Sequence, residues 1–121
     1  MGELKNLDQD DVLDIFPTFP LKPRFNGVYI TTNNLEEDGN IVLSDNILSD
    51  VQYVIAVGPI VTDIQPGQKV ILDMEKMMKT VGHEGVNAYE LLKEVNLDLV
   101  DINGVRFALV NDRVIKTIDN R

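Results

Sequence analysis

Tyr53-Val54-Ile55-Ala56-Val57-Gly58-Pro59, followed after a short connection by Pro66-Gly67-Gln68-Lys69-Val70-Ile71-Leu72, is the most informative part of this chain. Both segments are apolar and rich in β-branched residues, which suit a pleated surface. Gly58 and Pro66-Gly67 stand where the backbone has to turn sharply. Together they predict two neighbouring strands, at about residues 52–57 and 69–73, of a small β-structure.

Strand signals continue in both directions. Phe25-Asn26-Gly27-Val28-Tyr29-Ile30-Thr31-Thr32 combines aromatic and β-branched side chains, with Asn26-Gly27 suited to a bulge. A last pair is expected at 105–110 and 113–118, with a turn at Asn111-Asp112. Short strands at this spacing indicate an all-β barrel or sandwich. Residues 75–100 break the pattern. There Asn87-Ala88-Tyr89-Glu90 has the form of a capping box, and Ala88, Leu91, Leu92 and Val95 recur at helical spacing. At the other end, Asp8, Asp10, Asp11 and Asp14 surround Leu4, Leu7, Val12 and Ile15, which roughly line one side of a short helix. Pro17, Pro20 and Pro23 then force extended backbone. Residues 1–20 read as an acidic N-terminal arm of low local order, either docked on a neighbouring molecule or solvated. Residues 21–121 read as one β-domain.

The bulk composition excludes several classes of function. A chain of 121 residues, 44% hydrophobic and 26% charged, is one ordinary globular domain. Its apolar runs fall short of the roughly 20 residues that span a bilayer, and its acidic start does not resemble a secretion signal. Asn6 stands where a myristoylation motif wants Ser or Thr. A soluble, cytoplasmic protein with no membrane partner is therefore expected. The absence of cysteine removes disulfides, thiol nucleophiles and thiolate metal sites. A net charge of -9 opposes nucleic-acid binding, which needs clustered Lys and Arg against phosphate. His83 is the single histidine and lacks the second one of a metalloprotease helix; the scattered glycines form no phosphate loop. The aspartates between 8 and 14 lack the glycine and terminal glutamate of a calcium loop. We expect no enzyme, no metal and no cofactor.

Four segments in order resemble one family. Leu21-Lys22-Pro23-Arg24-Phe25-Asn26-Gly27-Val28-Tyr29-Ile30 is similar to the opening strand of the GroES co-chaperonins, the ten-kilodalton lids of double-ring chaperonins. Asp38-Gly39-Asn40-Ile41-Val42-Leu43 looks like that family's mobile loop. Residues 53–58 resemble its Glu-Val-Leu-Ala-Val-Gly strand, and residues 65–72 its Val-Gly-Asp-x-Val strand. Residues 105–118 match the closing hairpin more loosely. The resemblance implies an irregular GroES-like β-barrel carrying an N-terminal arm, a mobile loop at 35–50 and a short helical insertion at 75–100. The short connection after Gly58 leaves no room for the roof hairpin of bacterial members, a shortening similar to phage-encoded co-chaperonins that serve capsid-protein folding.

The function implied is a non-enzymatic cap on an ATP-dependent chaperonin, assembled as a homo-oligomeric ring of seven copies by family analogy. Ile41, Val42 and Leu43 would enter an apolar groove of the chaperonin. Gly39 and Asn40 would form the loop's turn, and Ile47 and Leu48 are a second apolar pair for that contact or for the base of the barrel. In physical terms, three adjacent apolar side chains among Glu36, Glu37, Asp38 and Asp45 cannot bury one another in a solvated loop. The competing possibility is a hairpin in which residues 40–44 form an ordinary strand, burying Ile41 and Leu43. Two functional alternatives stand beside the lid. One is a phage virion or assembly protein that keeps the barrel without chaperonin binding. The other, the GroES-like module of zinc dehydrogenases, is disfavoured by the missing cysteines.

Overall fold

The alternation Val28-Tyr29-Ile30 sends neighbouring side chains to opposite faces of a strand, and both faces of that strand are covered. The computed structural model describes residues 6–34, 36–37, 40–41, 48–76 and 98–120, with backbone alone at 36–37 and 40–41. Among the described residues, the helix α1 (Gln9–Ile15) precedes eight strands: β1 (Gly27–Thr31), β2 (Glu36–Glu37), β3 (Asn40–Ile41), β4 (Val51–Val57), β5 (Lys69–Leu72), β6 (Asp98–Ile102), β7 (Val105–Asn111) and β8 (Ile115–Asp119). The described residues are all-β with little helix. Six strands form one antiparallel sheet in the order β6-β7-β1-β4-β5-β8, and β2 pairs with β3 separately. The sheet is not closed into a barrel among the described residues. β6 pairs inward with β7 and β8 inward with β5, which leaves both as edges.

Most expected strands form where the pattern placed them, with instructive differences. Asn26 lies in a turn ahead of β1 rather than in a bulge; the register shift falls between Tyr29 and Ile30, opposite Ile55. That shift sends Val54 into the main core and Ile55 to the other face, so two consecutive residues are buried. Residues 112–114 form a 3-10 turn, and β8 begins only at Ile115. β6 was not expected at all. Its hairpin with β7 turns on Asn103 and Gly104, whose φ angles are +53° and +82°, the primed geometry that Asn-Gly favours. The expected insertion at 75–100 therefore runs into a sheet strand at its far end. A helix does begin at residue 74, with the Asp73 carboxylate accepting from the Lys76 N–H at 3.1 Å, but residues 87–95 lie outside the described residues.

Gly58 is needed for a different reason than a turn. A Cβ there would sit 2.2 Å from the Phe25 carbonyl oxygen, so the backbones of the two segments meet only because position 58 is bare. Phe25 adopts φ +52° to bring that carbonyl in, and the oxygen accepts the Ile60 N–H at 3.1 Å. By contrast, Gly67 does turn the chain: its φ of +92° after Pro66 suits the second corner of a type II turn, closed by Gln68 N–H to Gln65 O.

The N-terminal arm corrects the expectation of low order over residues 6–19. Asp8 and Asp11 form a reciprocal capping box at the start of α1, at 2.9 and 3.1 Å. A seven-residue helix does not persist alone, and packing supplies the rest. Val12 is fully buried against Ile55 and Phe107, while Phe19 meets Phe107 edge-on at 5.0 Å and Tyr29 at 5.2 Å. The arm thus roofs the second face of its own sheet. The first face is filled by Val28, Ile30, Val54, Val70, Leu72 and their neighbours.

Candidate partner-binding loop and its stem

The loop expected at 35–50 leaves the sheet after β1 and returns before β4. Its two ends are held together by the bridge between Asn34 and Leu48 and by the Ser49 N–H donating to Asn33 O at 3.0 Å. Farther out, β2 and β3 pair in a register that sets Glu36 opposite Ile41 and Glu37 opposite Asn40, leaving Asp38 and Gly39 between them. Backbone pairing at Ile41 is the start of the hairpin that competes with a free binding loop. Ile41 and Asn40 are therefore placed on β3, whereas Gly39, Val42, Leu43 and Ile47 lie outside the described residues.

Leu48 is placed decisively. It is 7% exposed and belongs to the main core with Val54 and Leu72. Of the two roles open to it, packing at the base of the domain is the one it performs. It gives the returning limb of the loop a hydrophobic anchor, and it is not available to a partner.

The stem is organised by a side chain that sequence reasoning passed over. Gln52 is fully buried on the core-facing side of β4, where β1 and β4 no longer pair directly. Its Oε1 accepts from the Thr31 hydroxyl and the Asn33 N–H, both at 2.7 Å. Its Nε2 donates to Asn33 O at 2.9 Å and to Ser49 O at 2.7 Å. The amide thus bonds the peptide groups of both limbs, as a strand backbone would. Thr31 Oγ1 in turn accepts the Tyr53 N–H at 2.9 Å. No buried side-chain polar atom among the described residues lacks a partner.

The N-terminal arm reaches the same stem. Asn33 accepts from Leu7 N–H at 3.0 Å and donates to Leu7 O at 2.9 Å. Asn6 donates to Asn34 O and accepts from Asn34 N–H, both at 2.8 Å. Each side-chain amide spans the backbone of one residue on the facing segment. The signal that could have found this network was a glutamine at a core-facing strand position, together with the Asn33-Asn34 pair that reads locally as a turn.

Electrostatics around the sheet's second face are acidic. Burial raises the Tyr53 phenol above its ordinary value, and the carboxylates of Asp8 and Asp119 push it in the same direction. At the β6–β7 hairpin, Arg106 holds Asp101 below the usual carboxylate range through a hydrogen bond of 2.9 Å. Among the described residues no group of three or more His, Asp or Glu is placed to hold a metal, and no helix is long and apolar enough to cross a membrane. His83 lies outside them. What the described residues show is a hydrogen-bonded base at which the chain leaves the sheet after Asn34 and rejoins it at Leu48. A scan of the chain against protein-family models returns no match, and a search of curated proteins returns none.

Proposed function

We propose that this protein is a co-chaperonin, a ring-forming lid that engages an ATP-dependent double-ring chaperonin through Ile41, Val42 and Leu43. The observation that carries this reading is the stem. Residues 35–47 depart and return at one point fixed by the Asn34–Leu48 bridge and the buried Gln52 amide. A segment anchored so firmly at its base and carrying an apolar triplet is suited to presenting that triplet to another surface. The finer fold proposed, an irregular barrel of the GroES kind, draws on β4. That strand pairs with β5 over Val51–Tyr53 and with β1 over residues 54–57, and the register shift at Ile55 falls within the second stretch.

Burying two or three such side chains contributes about 1.5–3 kcal/mol each. Ordering a loop on binding costs about 2–5 kcal/mol, so one loop binds weakly. Several loops on one ring convert weak contacts into avidity, since each later contact is intramolecular. Chemistry stays with the partner, which hydrolyses the ATP; this chain binds no nucleotide. Service to capsid-protein folding in a phage-infected cytoplasm is the setting we propose.

The test is co-sedimentation with a double-ring chaperonin in ADP, alongside the native mass of the free protein. Capping by wild type and its loss in a variant with Ile41, Val42 and Leu43 all replaced by Ser, at unchanged ring mass, is the expected result. A monomeric free protein, or full capping by the triple variant, overturns the proposal.

A further inference from the structure

The main chain leaves the sheet at Asn33 and Asn34 and comes back at Leu48 and Ser49. Gln52 binds this stem from the core side. The arm supplies another set of contacts: the Asn33 amide spans both backbone groups of Leu7, and the Asn6 amide spans both backbone groups of Asn34. Four bonds between two adjacent residue pairs define an orientation as well as an attachment, because each planar amide fixes two directions at once. The arm cannot drift while they are made. Immediately after Leu7, Asp8 caps α1, and α1 is pinned by fully buried Val12 and by Gln9 Nε2 donating to Gly67 O at 2.6 Å. The stem is thus tied, through its outgoing limb, to an element that docks on the opposite face of the sheet.

We infer that Asn6 and Asn33 are positioning residues: they lock the outgoing limb at Asn33–Asn34 to the docked arm, so that the direction in which the chain leaves the sheet is set by α1. The consequence for capping rests on the proposed function, whereas the positioning itself does not. By linkage, whatever grips the chain beyond Asn34 and favours one stem orientation also favours arm docking, by the same factor.

Amide hydrogen exchange on the free, full-length protein decides the positioning. In Asn6→Ala the Asn34 N–H loses its Oδ1 acceptor, and its exchange is expected to rise about ten-fold. Amides of Val54 and Phe107, which open only on global unfolding, report the loss of overall stability alone and should change less than about three-fold, since Asn6 and Asn34 are half-buried and water replaces much of the lost bond. Parallel acceleration of stem and core amides would mean that Asn6 merely stabilises the fold, and an unchanged Asn34 amide would mean that it holds nothing; either overturns the inference. Asn6→Asp, which keeps the acceptor and loses the donor, should restore most of the Asn34 protection, and failure to do so counts against the geometry. A second arm uses a double-ring chaperonin with ADP. Asn6→Ala should weaken capping about three- to ten-fold at unchanged ring mass, and chaperonin should slow exchange at Leu7 by a matching factor. Equal capping by wild type and variant overturns the coupling. Absence of capping by wild type sinks the lid reading and leaves the exchange result to decide the positioning.

Discussion

Replacing Gln52 by Ala should be among the most destabilising single changes outside the apolar core. The substitution removes four hydrogen bonds at 2.7, 2.7, 2.9 and 2.7 Å from a fully buried position. Asn33 O keeps the Ser49 N–H, but the Asn33 N–H, Ser49 O and the Thr31 hydroxyl proton lose the partner they had. Each buried group left unmatched costs about 1–3 kcal/mol. Asn33 and Ser49 are only partly buried, so water reaches some of this deficit. A total of about 3–4 kcal/mol follows, or roughly 10–20 °C in Tm for a domain of this size. Thermal and urea unfolding followed by circular dichroism measure it. A shift below about 3 °C would refute the claim that this amide joins the two limbs of the stem. Gln52→Glu sharpens the experiment: a carboxylate accepts from Thr31 and Asn33 but cannot donate to the two carbonyls. Burial against those oxygens raises the introduced carboxyl's pKa above its unfolded value. The variant is then most stable below the unfolded pKa and loses stability as pH rises toward the folded one. Gln52→Ala should show no such added pH dependence.

Two further outcomes are expected. Gly58→Ala brings a methyl to 2.2 Å from Phe25 O and 2.9 Å from its carbonyl carbon, both backbone atoms, and should cost about 2–4 kcal/mol in chemical denaturation; a loss under 1 kcal/mol would mean the two segments separate easily. Tyr53, raised by burial and by Asp8 and Asp119, should ionise above its ordinary value of 10.0 in the folded protein, so that alkaline pH favours the unfolded chain; ultraviolet titration of wild type against Tyr53→Phe should show the missing high-pH phenol and a smaller alkaline loss of stability.

Strand identity was legible wherever local chemistry and sheet position agree. Val54 to Val57 and Val70 to Leu72 are β-branched or apolar throughout and occupy central strands. β6 was missed because Asp98 and Asp101 dilute its apolar signal: it is an edge strand, exposed at both aspartates. The Asn103-Gly104 pair beside it was a sufficient hairpin signal all the same. α1 was half-read, since its apolar positions were visible, but its receiving surface comes from residues far along the chain. In the candidate site, Leu48 could not be assigned from sequence because an apolar residue beside a polar loop serves a core and a partner equally well. The bonds from Gln52 to Asn33, from Asn33 to Leu7 and from Asn6 to Asn34 span 19 to 28 positions and carry no local pattern.

The seating of α1 against β4 and β7 has a bearing on how the protein is made. Phe107, on which Val12 rests, is translated roughly 95 residues after it, about 5–20 s at ordinary rates of synthesis. β1 likewise waits for β7, its neighbour from the far end of the sequence. α1 is therefore made well before part of its seat exists. During that interval four aspartates between positions 8 and 14 keep a greasy segment in solution.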